Sequence, residues 1–187
     1  MVVPRWQLTE TVGADQGGQL LRSLLQTTWL LPKRLVHYLR VRQNVLVNGQ
    51  YQPMNHVIQT GDELQLSFIG DEFRTPDANR YVPTRHPHLA VLYENRDIMV
   101  VNKPRGQKTH PNEDGETGTL MNDAAGYLDG TAYMVHRIDK QTSGAVIIAK
   151  DPVVVPILDR LISTGRIHRQ YLAVVEGELR GHGQWRW

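Results

Sequence analysis

Residues 70 to 88 break the chain, and that break sets the tightest limit on what it can fold into. Gly70-Asp71-Glu72 is followed by Pro76, Asp77, Asn79, Pro83, His86, Pro87 and His88, with little apolar periodicity. Such a stretch reads as an interdomain linker stiffened by proline. A chain of 187 residues has room for one ordinary domain, or for a small domain and part of another. The reading is a lead over residues 1–14, a small domain over 15–69, the linker over 70–88, and a second unit over 89–187.

In the first unit Leu20, Leu21, Leu24 and Leu25 recur at helical spacing, as do Leu35, Val36 and Leu39. Pro32 can open the second helix at its first position. Val45-Leu46-Val47 then reads as a short strand running into Asn48-Gly49, a pair that tolerates positive φ and so favours a hairpin. Gly61-Asp62 marks another turn before the alternating strand Glu63 to Phe68.

Charge is unevenly spread along this unit although the net charge of the chain is only +2. No acidic residue lies between Asp15 and Asp62, whereas Arg22, Lys33, Arg34, Arg40 and Arg42 fall in that interval. Lys33, Arg34, His37 and Arg40 are spaced to share one helical face. That face is either a solvated basic surface or a patch that gains affinity for a phosphate backbone by counterion release.

The second unit is richer in strand patterns. Leu89 to Tyr93 and Ile98 to Asn102 flank the polar turn Glu94-Asn95-Arg96-Asp97, which predicts a hairpin. Lys103-Pro104-Arg105-Gly106 reads as ordinary turn chemistry at a strand exit. A helix is predicted over Thr117 to Leu128, capped by Thr117 or Thr119 and ended by Gly130. Another is predicted over Pro152 to Ile162, followed by a final strand from Ile167 to Val175.

Between these helices lies His136-Arg137-Ile138-Asp139-Lys140-Gln141-Thr142-Ser143-Gly144, followed by the apolar run Ala145 to Ala149. Asp139 stands between two cations just before a buried strand. Neighbouring positive charge keeps a carboxylate ionised, as a nucleophile or general base requires. A strand-entry turn is the alternative reading. Thr142 and Ser143 read as turn hydroxyls, since no serine-histidine arrangement or oxyanion motif accompanies them.

The segment HRIDKQTSG resembles the HRLD-x-x-TSG signature of the RluA-type pseudouridine synthases, with Ile138 in place of leucine. Val91 to Gly106 resembles the family's strand, turn, strand and Lys-Pro-x-Gly opening. Arg169 to Gly177 resembles its basic-x-Tyr-x-Ala segment. The first unit, over residues 15–69, resembles the small S4-type RNA-binding domain, although its second helix opens Pro32-Lys33-Arg34 and lacks the usual Ser-Arg start. The implied fold class is α+β: a small S4-like domain, then a mixed, largely antiparallel sheet with flanking helices.

The resemblance implies isomerisation of specific uridines to pseudouridine in structured RNA, with ribosomal RNA favoured over transfer RNA. Asp139 would be catalytic, as nucleophile or as base at the sugar. The base must leave its stack, which costs a few kcal/mol. By similarity Arg137 would enter the vacated place in the RNA, and Tyr171 would pack on the flipped uracil. Without the resemblance, Tyr171 reads as a core strand aromatic. His136 is given no proton-transfer step. Lys33, Arg34, His37, Arg40 and Arg42 would form the phosphate-facing surface of the S4-like domain. The family's catalytic domain continues past the tyrosine segment with further strands and a late arginine, so the alternative expectation is a truncated, inactive RNA-binding fragment.

No cofactor and no metal are expected. The chain lacks cysteine, which excludes disulfides and thiolate sites. His86-Pro87-His88 has no acidic partner at ligand spacing and no third histidine nearby. The apolar runs fall short of the about eighteen residues that a membrane span needs. The start, Met1 to Trp6, lacks the apolar stretch of a secretory signal, so a cytoplasmic address is expected.

Overall fold

The structure, a computed structural model, describes residues 6–73, 81–130, 132–177 and Gly183. Among the described residues two four-stranded antiparallel sheets form, with strand orders β1-β4-β2-β3 and β5-β6-β8-β7.

The first sheet consists of β1 (Trp6–Thr11), β2 (Val45–Val47), β3 (Gln50–Tyr51) and β4 (Glu63–Phe68). Strand β1 arises from the span read as a lead. Its alternation, Trp6, Leu8 and Glu10 half-buried with Gln7 and Thr9 exposed, pairs it along the whole of β4 from Trp6 opposite Phe68 to Thr11 opposite Glu63. The Asn48-Gly49 turn joins β2 to β3 with φ of 51° and 77°, a conformation that asparagine and glycine adopt at low cost.

Two helical segments cover this sheet. Helix α1 (Leu21–Ser23) runs into a π-helical stretch, Leu24–Thr28, in which Trp29 N–H reaches back to the Leu24 carbonyl. Helix α2 (Lys33–Val41) starts just after Pro32, which lies outside the helix and not at its first position. Leu21, Leu24, Leu25, Leu35, Val36 and Leu39 are buried against Val45, Val47, Leu64, Leu66 and Phe68. The helical stripe and the strand alternation meet in one core, the arrangement that buries both apolar faces.

The second sheet holds β5 (Val91–Glu94), β6 (Ile98–Lys103), β7 (Tyr133–Met134) and β8 (Gly144–Ala149). Strand β8 pairs with β6 along its full length, Ile98 opposite Ala149 and Lys103 opposite Gly144. Helix α3 (Leu120–Tyr127) begins at Thr119, whose side chain forms a reciprocal cap with Asn122. Leu120, Met121 and Ala124 bury against Met99, Val101, Val146 and Ile148. Gly126 lies so close to the backbone at Thr84 that a Cβ there would meet its carbonyl oxygen at 2.1 Å.

Helix α4 (Val154–Ser163) ties the two sheets together. Val153, at its start, is buried in the first core with Ile157 packed on the same cluster, while Leu158 packs with Tyr133 and Ala149 of the second sheet. Arg160 Nη1 donates to the Gln26 carbonyl at 2.8 Å, and Arg96 pairs with Glu10 at 2.5 Å. The described ends of the expected linker are packed as well: Phe73 stacks edge-on against Trp6, and Thr84 hydrogen-bonds to Asn122 and Asp123 of α3.

The final strand expected over Ile167–Val175 does not form. These residues follow α4 in irregular conformation and join no ladder with any described strand. Only Ile167 packs, against the cluster of Tyr133, Ala149 and Leu158, while Leu172 and Val174 are fully exposed. No described helix is long and apolar enough to cross a membrane.

Candidate functional site

Strands β6 and β8 run antiparallel with Lys103 opposite Gly144, so the loop leaving β6 and the loop entering β8 emerge side by side. The second of these carries Asp139. The first holds it by its backbone on both sides. Thr109 Oγ1, buried, donates to the Ile138 carbonyl at 2.6 Å and accepts from the Ile138 N–H at 3.3 Å. Gly106 N–H donates to the Lys140 carbonyl at 2.7 Å, and Arg105 Nε donates to Gln141 Oε1 at 3.1 Å. The turn closes on itself where Thr142 N–H donates to the Asp139 carbonyl at 3.1 Å. A single exposed carboxylate is thus carried on a backbone fixed at the residues before and after it.

Lys103 is the unexpected member. Its side chain is fully buried, and Nζ donates to the carbonyls of Pro104 at 3.0 Å, Gln107 at 2.7 Å and Lys140 at 3.4 Å. The sequence reading of Lys103-Pro104-Arg105-Gly106 as plain turn chemistry is therefore corrected at its first residue. Burial pushes the Lys103 ammonium below the usual lysine range, and the Asp139 charge opposes that shift. A signal was present in the sequence: Met99, Val101 and Lys103 alternate on the inward face of β6, so strand periodicity alone directs the lysine into the core. Thr109 left no such signal, because its partner lies 29 residues away.

Helix α3 braces the same loop. Its first free amides, Leu120 and Met121, donate to the carbonyls of Lys108 and Thr109 at 2.9 and 3.0 Å. Gln107 Nε2 donates to Asp123 Oδ2 at 2.8 Å, and Asp123 also accepts from Thr84 Oγ1 at 2.7 Å. Loop, helix and linker end are joined in one network.

Beside this clamp lies an open cavity of about 930 Å³. His136, Ile138, Gln141, Thr142 and Ser143 line one side, and His168, Arg169 and Tyr171 the other. Tyr171 is 59% exposed, a residue of the cavity wall and not of a strand core. Asp139 and Arg137 are exposed on the adjoining loop, outside the lining. The structure therefore brings His136, Arg169 and Tyr171 together at the cavity, with Asp139 next to residues on its rim.

The basic residues of the first unit divide into two sets. Lys33, Arg34, His37 and Arg40 are exposed on α2, with Arg40 Nη2 and His37 Nδ1 3.4 Å apart. Arg42 is engaged elsewhere. Its Nη1 contacts Asp71 Oδ1 at 2.7 Å and the buried carboxylate of Glu72 at 2.6 Å, and its guanidinium lies 4.6 Å from the Tyr38 ring centre. Two carboxylates already neutralise this cation, so it differs from its neighbours as a partner for phosphate. Asp71, held by Arg42, lies below the usual carboxylate range.

Residues 8–64 match the family model described as the RluD ribosomal pseudouridine synthase N-terminal domain, and residues 97–184 match that described as RNA pseudouridylate synthase. The chain is similar to an uncharacterized RNA pseudouridine synthase of Bacillus subtilis, YhcT, at 34% identity over 90% of this chain and 56% of that protein. A second such protein of Bacillus subtilis, YlyB, is 35% identical over 71% of this chain and 45% of its own length. Ribosomal large subunit pseudouridine synthase D of Escherichia coli K12 is 32% identical over 96% of this chain and 55% of that protein. The chain spans about half the length of the curated relatives it matches.

Proposed function

The chain belongs to the RNA pseudouridylate synthase family, and from that premise we propose that it serves the isomerisation of uridine to pseudouridine in structured ribosomal RNA. The observation that carries the reading is the double clamp on Ile138 and Lys140, which holds one solvent-facing carboxylate beside an open cavity.

The reaction needs no redox change and no outside acceptor. The glycosidic N1–C1′ bond of the uridine breaks, the base turns, and a C5–C1′ bond forms between the same base and sugar; C5 gives up its proton and N1 gains one, so product and substrate have the same atoms. One carboxylate at the sugar suffices if the backbone beneath it is fixed, because a misplacement of about 1 Å costs on the order of a hundredfold in rate. Asp139 fills that role. Arg137 enters the stack from which the uridine is extruded, and Tyr171 offers a ring face to the flipped base. Both side chains are exposed, which leaves them accessible to an RNA partner. The proposed address is the cytoplasm, where ribosomal RNA is made in bacteria such as those of the relatives.

The test is direct. Purified protein is incubated with ribosomal RNA transcribed without modification, and pseudouridine is mapped as carbodiimide adducts that stop reverse transcriptase. Stops at a few discrete uridines are expected. RNA free of new adducts after prolonged incubation with stoichiometric protein would remove the assignment.

Lys33, Arg34, His37 and Arg40 are the proposed phosphate-facing residues of the N-terminal unit, and Arg42 belongs chiefly to its pairing with Asp71 and Glu72. Replacing Lys33, Arg34 and Arg40 together by Ala should weaken RNA binding and flatten the plot of log affinity against log salt by about two units, since each phosphate contact contributes a slope of roughly 0.7 to 0.9. Arg42→Ala should leave that slope nearly unchanged and lower the melting temperature instead. Equal slopes for the triple variant and the wild type would acquit the α2 face.

A further inference from the structure

Strand β7 ends at Met134, opposite Ile148, while β8 continues along Gly144–Ile147 with no described strand on that edge. Continuing the same register would set Val135 opposite Ile147 and bring a backbone carbonyl to the Ile147 amide. The chain has turned away by then, because Val135 to Asp139 belong to no strand. Nε2 of His136 stands where that carbonyl would be and accepts from the Ile147 N–H at 3.1 Å.

An imidazole accepts at Nε2 only when that nitrogen carries no proton, so the ring is neutral and its proton sits on Nδ1. Nδ1 is buried without a hydrogen-bond partner among the described residues. We propose that His136 is a positioning residue: its neutral ring serves as the missing rung of the β8 edge and so holds the start of the Asp139 loop against the sheet. Only the functional consequence of this rung rests on Asp139 being the reactive carboxylate; the rung itself does not.

Protonation destroys the rung. A proton on Nε2 faces the Ile147 N–H donor to donor, and the amide is left unpaired. Burial, then the Arg169 guanidinium, push the His136 ring below the ordinary histidine value. The titratable groups around the shared cavity are Arg105, His168, Arg169 and Tyr171; β8 carries none, and β7 carries Tyr133. With the folded-state value lowered, the unfolded chain takes up the proton first. The contribution of the rung is therefore complete above the ordinary histidine range and is lost as pH falls through it toward the folded-state value.

The experiment follows the ring and its partner amide in the full chain. Nitrogen-15 shifts of the His136 imidazole report which nitrogen carries the proton, and hydrogen exchange reports protection of the Ile147 amide. We expect the Nδ1–H form at neutral pH. Removal of the acceptor in His136→Leu should speed exchange at Ile147 roughly tenfold, the scale of one hydrogen bond. His136→Gln, whose amide oxygen reaches about as far as Nε2 and does not titrate, should restore most of the protection. Between about pH 7.5 and about pH 5.5, the range of histidine titration, the wild type should lose protection beyond the intrinsic pH effect and His136→Gln should not.

An Nε2–H ring at neutral pH, or full protection in His136→Leu, would overturn the proposal. Should His136→Leu fail to fold, the wild-type tautomer and the pH comparison with His136→Gln still decide it. Neither readout depends on activity, so loss of the Asp139 assignment and loss of the rung are separate outcomes.

Discussion

Asp139→Asn is expected to abolish pseudouridine formation, with a loss of at least about a thousandfold, the middle of the range for removing an acid–base group and a lower bound for removing a nucleophile. The substitution keeps the shape of the side chain and its capacity to accept a hydrogen bond, and it removes the charge. The loop should survive it. What holds the loop is the backbone of Ile138 and Lys140, bonded to Thr109, Gly106 and Lys103, and none of these contacts uses the Asp139 side chain. An exposed substitution outside such a network changes stability by no more than about 0.5 kcal/mol. RNA affinity and the denaturation midpoint should thus stay at wild-type values while carbodiimide-detected product disappears. Product formation by the Asn variant within tenfold of wild type would take Asp139 out of the mechanism.

Lys103→Met should produce the largest loss of stability in the second unit. Methionine matches the lysine stem in length and keeps the inward face of β6 apolar, yet it leaves three carbonyls without their shared donor. Hydrogen bonds to a charged group contribute about 1.5–3 kcal/mol each, but Pro104 and Lys140 are exposed and the Lys140 carbonyl keeps its bond from Gly106, so a total of about 3 kcal/mol is expected. The relief of a buried ammonium's desolvation works in the other direction and keeps the figure from being larger. Conversion should fall further than the unfolded fraction explains, because the Lys140 carbonyl loses one of its two anchors beside Asp139. Urea denaturation with product assays at a temperature where the variant remains folded separates the two effects. A variant with the wild-type midpoint and wild-type turnover would reduce Lys103 to filler.

Local pattern carried much of this architecture. Thr119 caps α3 because a threonine precedes the apolar periodicity, and Asn48-Gly49 turns the first hairpin because those two residues accept positive φ. Alternation marked β4, the polar turn Glu94 to Asp97 marked the β5–β6 hairpin, and a continuous apolar run marked β8. Each of these depends on neighbours within one turn or one strand, which is the range over which residue spacing constrains the backbone. The failure at Ile167–Val175 follows from the same physics. The residues include the β-branched and aromatic types a strand favours, but a strand exists only when a neighbouring strand supplies its ladder, and the described segment joins none.

The sequence by itself determined the order of elements from α1 to α4, the basic α2 face and the position of Asp139 at a strand entry, all consequences of side-chain type and short-range spacing; it missed β1 and placed a strand at Ile167–Val175 that does not form. Tertiary structure alone decided what holds that carboxylate. Lys103, Gly106 and Thr109 reach the Asp139 loop only because β6 and β8 pair in one register; a shift by one residue would turn Lys103 away from the core. It also decided that Arg42 pairs with Asp71 and Glu72, and that β1 and α4 join the two units. Such contacts bridge residues far apart in the chain, where charge and periodicity identify candidates and only the folded backbone brings the partners together.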